Sequence, residues 1–267
     1  MSKVILITGA SSGIGKSISL FLTSKGYKVY GTCRNPNKYD ISEYELLKCD
    51  ITSSVEIKKT IKHVLSIENR IDVLINNAGI GITGPLEETT ETDIKSAFQT
   101  NLLGPIAIIK ECIPSMRENN KGLIINITSV LGYFGIPFRG IYCASKSSLE
   151  IIGEVFSMEL KKFNINVVNV APGDFKTDIA LIRIDSKSNN LSYYTDDYSK
   201  SLKSANKHVE NASNPDLVSK LIYKIINTKN PKIHYKVGQF IQKFSIVLKN
   251  ILSDRLYEKI LLYYSKN

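Results

Sequence analysis

Apolar and polar positions change rhythm many times along this chain of 267 residues. Short continuous apolar runs, the mark of strands covered on both faces, fall at Lys3–Thr8, Lys28–Cys33, Leu46–Asp50, Val73–Asn76, Leu123–Thr128 and Asn166–Val170. A seventh run, Lys232–Val237, is short and rich in lysine. Between them, apolar residues recur at helical spacing over Gly13–Lys25, Ser53–Ser66, Glu91–Met116, Ile141–Lys162 and Pro215–Asn227. In the second of these, Ser53 or Ser54 caps a stripe of Ile57, Ile61, Val64 and Leu65. Pro105 and Pro114 should kink or end the third. Strict strand–helix alternation predicts an α/β fold: one doubly wound parallel sheet, helices on both faces, in a single domain over 1–267.

Two stretches leave that rhythm. Residues 174–213 read as a long polar connection holding Tyr193, Tyr194 and Tyr198, placed after a strand's carboxyl end where a lid over a site belongs. Residues 238–267 read as two amphipathic helices. In the first, Phe240, Phe244, Val247, Leu248 and Ile251 share a face opposite Gln242, Lys243 and Lys249. In the second, near Ser253–Tyr264, Leu256, Ile260 and Leu261 should point inward.

Composition is that of an ordinary globular chain, 43% hydrophobic and 22% charged, which excludes wholesale disorder. No apolar run nears the roughly 20 residues of a membrane span, and the early first strand predicts no cleavable leader. Cys33, Cys49, Cys112 and Cys143 lack metal-ligand spacing and lie in core elements, as reduced thiols of a cytoplasmic protein would. His63, His208 and His234 are too scattered for a metal centre, so no metal site is expected. The formal charge of +10 is uneven. From Lys220 onward ten Lys or Arg face only Asp254 and Glu258. Such a tail fits anionic lipid, nucleic acid, an anionic substrate or simply a solvated face. No recognition motif supports nucleic acid.

Chemistry concentrates at strand ends. The first strand runs into Gly9, Ser11, Ser12, Gly13, Ile14 and Gly15, then a helix. Glycines there bring backbone close to a phosphate, and the helix start offers its amides to a dinucleotide. Tyr142 and Lys146, one helical turn apart, project from one face; an ammonium beside a phenol would lower its pKa and make it a usable acid and base. Ser129 follows a strand directly, at the edge where doubly wound sheets bind ligands. Cys33 stands where an acid that grips ribose hydroxyls would sit, and Arg34 comes next, which favours a 2′-phosphate and hence NADPH over NADH. Ile80, Ile82, Leu131, Tyr133, Phe134, Ile136 and Phe138 supply apolar surface near the serine, suited to a steroid, retinoid or acyl-ketone substrate.

In these motifs, spread from Val4 to about Thr177, the chain resembles the short-chain dehydrogenase/reductase superfamily, in its classical branch. The resemblance implies a Rossmann-type domain and a hydride exchange between nicotinamide and a carbonyl or secondary alcohol. It implies that Asn101, Ser129, Tyr142 and Lys146 form the catalytic set. Tyr142 would protonate the forming alkoxide, Lys146 would bind the nicotinamide ribose, and Asn101 would hold a water. Asp50 and Ile51 match the adenine contacts, Asn77, Ala78 and Gly79 the motif bracing the sheet, and Pro172, Gly173 and Thr177 the nicotinamide border. Related enzymes pair through helices matching 91–116 and 141–162, implying a homodimer or homotetramer. The competing reading is a cofactor-sensing scaffold on the same fold, whose mark would be a damaged catalytic set. Here the set is intact. Peripheral contact with a membrane through the basic tail is a further expectation.

Overall fold

The computed structural model describes residues 2–176, 183–186, 193–210 and 212–266. Its strands are β1 (Val4–Thr8), β2 (Lys28–Cys33), β3 (Glu45–Lys48), β4 (Val73–Asn76), β5 (Ile82–Thr83), β6 (Gly122–Ile127), β7 (Ile165–Pro172), β8 (Ile184–Asp185) and β9 (His234–Val237). The helices are α1 (Gly13–Ser24), α2 (Ser54–Glu68), α3 (Glu91–Phe98), α4 (Gly104–Glu118), α5 (Gly140–Leu160), α6 (Thr195–Glu210), α7 (Asp216–Ile226), α8 (Phe240–Ile251) and α9 (Asp254–Lys266). Seven strands form one parallel sheet in the order β3-β2-β1-β4-β6-β7-β9, while β5 and β8 make a separate pair. The strand order reverses between β1 and β4, so their carboxyl ends open a crevice.

Alternation along each strand divides the core. Val4 and Leu6 of β1 join Ile57, Ile61, Ile108 and Met116 of α2 and α4 on one face. Ile5 and Ile7 join Ile18, Leu22, Val218 and Ile222 of α1 and α7 on the other. Across the middle of the sheet runs a polar seam. Asn76 Nδ2 donates to Asn126 Oδ1 at 2.9 Å, Asn126 Nδ2 to Asn169 Oδ1 at 3.0 Å, and Asn169 Nδ2 to the Glu150 carbonyl at 2.8 Å. These three asparagines are register partners on β4, β6 and β7. At the open end of the seam, Asn76 Oδ1 is buried without a partner among the described residues.

Three expectations change. The helix expected over Glu91–Met116 is two helices, α3 and α4, joined by a π turn at Gln99–Leu103. Pro105 therefore opens α4, where its missing N–H costs nothing, and exposed Pro114 lies inside α4 without ending it. The polar stretch 174–213 is not a bare loop: it carries β8 and α6. Its helix stays hidden in the sequence because a thin stripe of Tyr198, Leu202, Ala205 and Val209 is set in a mostly polar stretch.

Candidate active site

At the end of β1 the chain turns through Gly9 and Gly13, both at positive φ (65° and 53°). The turn is clamped from behind. Thr8 Oγ1 accepts the Asn77 and Ala78 amides at 3.0 Å each, and Asn77 Nδ2 donates to the Thr8 and Gly9 carbonyls at 2.9 Å. A Cβ on Gly15 would lie 2.2 Å from the Gly9 carbonyl oxygen and 2.4 Å from Asn77 Nδ2, so α1 starts hard against this clamp. Asn77 is thus a brace of the turn. Ser12, in extended backbone, makes no side-chain cap to α1, and no acid sits in its first turn. The first α1 amides and their dipole face outward, which suits an anion.

Beside the turn, the Ala10 amide donates to the Thr32 carbonyl at 2.9 Å, and Ser11 hydrogen-bonds the Cys33 thiol, whose pKa burial pushes up. This docks the end of β2 on the turn. Arg34 follows, exposed and without a hydrogen bond or ion pair to another described residue. Asp50 accepts the Thr52 amide and hydroxyl on one oxygen, at 2.9 and 2.7 Å. Ile51 is largely buried, packed where a Cβ on Gly104 would meet it at 2.7 Å. Phosphate-facing amides, glycines without Cβ atoms and an uncommitted guanidinium fit a bound dinucleotide phosphate.

The expected catalytic residues converge. Ser129 lies two residues beyond β6; its Oγ accepts the Leu131 amide at 3.1 Å, and its hydroxyl is near enough to Tyr142 to lower that phenol's pKa. Lys146, one turn further along α5, is buried, and its Nζ donates to the Ile127 carbonyl at 3.0 Å. Asn101 lies wholly buried in the π turn, a distortion common at functional sites. Its Oδ1 accepts the Ile80 amide at 2.9 Å, and its Nδ2 donates to the Ile80 carbonyl at 3.0 Å and Ser145 Oγ at 3.1 Å. The side chain is thereby committed to positioning Ile80 and α5. A Cβ on Gly79 would fall 3.2 Å from Asn101 Oδ1 and 3.3 Å from Lys146 Nζ, so the bracing motif lies directly against both.

The electrostatics differ from the sequence expectation. Burial raises the Tyr142 pKa above that of an ordinary phenol; the Ser129 hydrogen bond and the Arg139 guanidinium pull it back in part. Lys146 is not among the groups that set it. Burial lowers the Lys146 pKa to about 8, with the Glu150 carboxylate working against the fall. Glu150 is itself buried, accepting the Thr128 hydroxyl and facing His234 Nδ1 at 3.1 Å. The other ring nitrogen of His234 faces Glu154 at 3.2 Å. Arg139, Glu150 and His234 went unsingled in the sequence as site residues. Glu150, one turn beyond Lys146, was the one that helical spacing had within reach.

Pro172 closes β7, and the Gly173 amide donates to the Val237 carbonyl at 2.8 Å. Thr177 lies outside the described residues. Gln242 of α8 accepts the Asp174 amide at 3.1 Å and donates to its carboxylate at 2.6 Å. A Cβ on Gly173 would come within 2.0 Å of Gln242 Oε1. The tail therefore packs on the expected nicotinamide border. Ile246 and Tyr257 cover Val130 and Phe134, so part of the apolar surface expected for substrate is spent on the tail. Opposite, Tyr198 of α6 bonds Thr83 Oγ1 at 2.9 Å and stacks edge-on with Phe138 at 5.4 Å. Phe138 is held at a positive φ of 62°, a strained state for a bulky residue. Described parts of the segment after β7, namely β8 and Tyr198 of α6, thus pack on β5 and Phe138.

Residues 3–186 match the sequence profile of the short chain dehydrogenase family. A 3-ketodihydrosphingosine reductase of Bacteroides thetaiotaomicron is 38% identical over 257 residues, covering 96% of this chain and 95% of that protein. The crystal structure of a short-chain dehydrogenase from Streptomyces avermitilis superposes with a TM-score of 0.83 at 27% identity, over 97% of this chain and 98% of that one. ElxO with NADP bound gives 0.72 at 27% identity, over 89% and 97%. Solved relatives include both NADP- and NAD-bound forms.

Proposed function

Because the chain belongs to the short-chain dehydrogenase family, whose members are oxidoreductases acting on CH–OH and C=O groups with nicotinamide cofactors, we propose that it uses NADPH to reduce the ketone of a long-chain, lipid-like compound. The observation that carries the reading is the Ser129–Tyr142 pair, set at the carboxyl edge of β6 beside the tail. Burial keeps the Tyr142 phenol protonated at neutral pH, the form that gives a proton in reduction, and the Ser129 hydroxyl and Arg139 guanidinium offset part of the acidity that burial removes. When bound at the glycine turn, reduced nicotinamide would supply the hydride that the carbonyl carbon takes up. Tyr142 gives its proton to the carbonyl oxygen as the C=O bond becomes C–OH, and Ser129 steadies the charge building there. Lys146, a buried cation beside the Gly79 backbone, holds the ribose side of the site in place.

The preference for the phosphorylated nucleotide rests on Arg34 and on the missing acid at Cys33. The lipid-like substrate is supported by the 38% identical 3-ketodihydrosphingosine reductase and by Ile80 and Ile136, apolar residues that the tail cluster does not take up. Pairing of two copies is read from α5, whose Ile151, Val155 and Met158 form an exposed apolar stripe at helical spacing. The test is NADPH oxidation with 3-ketodihydrosphingosine, retinal, a steroid ketone and a short water-soluble ketone. Turnover of the long-chain ketones is expected. Cofactor binding without turnover of any carbonyl overturns the reading in favour of a sensor or scaffold.

A further inference from the structure

The tail presents its two faces in an unusual way. The face of α8 against the protein is mixed: Ile246 is buried on Val130 and Phe134, Gln242 is bonded to Asp174, and Lys249 Nζ donates to the Tyr133 carbonyl at 2.7 Å. The apolar stripe of Phe240, Phe244, Val247 and Ile251 faces out, with Phe240 75% and Ile251 72% exposed. The rings of Phe240 and Phe244 stack in the open, 5.6 Å apart at 14°. In α9, Tyr257 and Ser265 are the buried positions, while Leu256, Ile260 and Tyr263 are exposed beside exposed Arg255 and Lys259. The expected inward placement of Leu256 and Ile260 is thus reversed.

We propose that the outer faces of α8 and α9 lie on an anionic bilayer surface. Apolar residues in the open, interleaved with cations, match a helix lying in the plane of a charged interface. Neither helix is long and apolar enough to cross a membrane. Five cations against two acids over residues 240–266 complement anionic headgroups. A second copy on the same face would bring Arg255 and Lys259 towards their own duplicates, an arrangement that like charge opposes. The surface is coupled to chemistry, since α8 carries both the outward stripe and Gln242 at the nicotinamide border. Resting on the reading of a lipid-like substrate, the docking delivers a membrane-dissolved ketone to the rim of the site.

The experiment sediments the full chain with phosphatidylcholine vesicles, with and without phosphatidylglycerol, in the absence of cofactor and substrate. Wild type is expected to pellet with the phosphatidylglycerol vesicles and to be released by salt. The variants F240S/F244S/I251S and R255Q/K259Q are each expected to bind about tenfold less or weaker. Circular dichroism and turnover of the short water-soluble ketone check that they remain folded and competent. Wild type left in the supernatant, or variants that bind as wild type, overturns the proposal. So does gel filtration showing that the substitutions only split an oligomer built on this face. Binding is read without turnover, so a failure of the ketone assignment leaves this result standing, and the converse holds.

Discussion

Helices α1 and α8 each have twelve residues and are amphipathic; α1 starts on the turn after β1, and α8 packs beyond the end of β7. Helix α1 buries Ile18 and Leu22 against the sheet and starts on a turn fixed by the Thr8–Asn77 clamp. Helix α8 turns Phe240, Phe244 and Ile251 outward and holds the protein through Gln242 and Lys249. The nucleotide side is therefore rigid, dry beneath and shaped for a phosphate. The tail side packs through a mixed face, Ile246 beside Gln242 and Lys249, and leaves an apolar stripe open. Equal periodicity identifies two faces but not which of them the fold covers.

The sharpest way to break this division is at its border. Tyr142→Phe should lower kcat by about 10²- to 10⁴-fold while NADPH binding, followed by fluorescence titration, stays unchanged. Weakened nucleotide binding in that variant would mean that the two ends are not separable. On the nucleotide side, Arg34→Ala should raise the KM for NADPH by about 10- to 100-fold and leave that for NADH unaltered. Equal changes for both nucleotides would remove the assigned role of the guanidinium.

Removing braces compares the two ends directly. Asn77→Ala should cost about 1–3 kcal/mol in thermal or denaturant unfolding, because it leaves two carbonyls behind the turn unpaired, and should weaken NADPH binding. Gln242→Ala should cost less than about 1 kcal/mol, leave NADPH binding alone and raise the KM of a long-chain ketone. The smallest effect concerns pH. Lys146 acts as a cation, so kcat/KM should fall as pH rises through about 8. Glu150 holds that pKa up, so Glu150→Gln should move the alkaline limb to lower pH, costing less than about tenfold at neutral pH. An unmoved limb would show that Lys146 does not set it.

Much of the nucleotide side was legible because its signals are local. β1 and β2 match their apolar runs, and the glycine spacing, Ser129, Tyr142 and Lys146 stand where strand ends and helical spacing place them. What stayed hidden depends on long-range contacts. The π turn at Asn101 leaves no trace in the apolar pattern, which runs on from Ala97 to Ile108. The helix at Thr195–Glu210 carries only a thin stripe, Tyr198, Leu202, Ala205 and Val209, within a long polar stretch. The direction of α8 is fixed by partners far along the chain, Asp174 68 residues away and Tyr133 116. The raised phenol follows from burial that no spacing rule reports.

The amide seam through Asn76, Asn126 and Asn169 has a mechanical consequence. Sliding any of β4, β6 or β7 by a single position would strand carboxamides in a dry interior, at a penalty far above thermal energy. The three strands that lead into Asn77–Gly79, Ser129 and Pro172–Gly173 are thereby welded into one plate. Alignment at their tips is settled when the chain folds, and an arriving ligand has little ordering left to do.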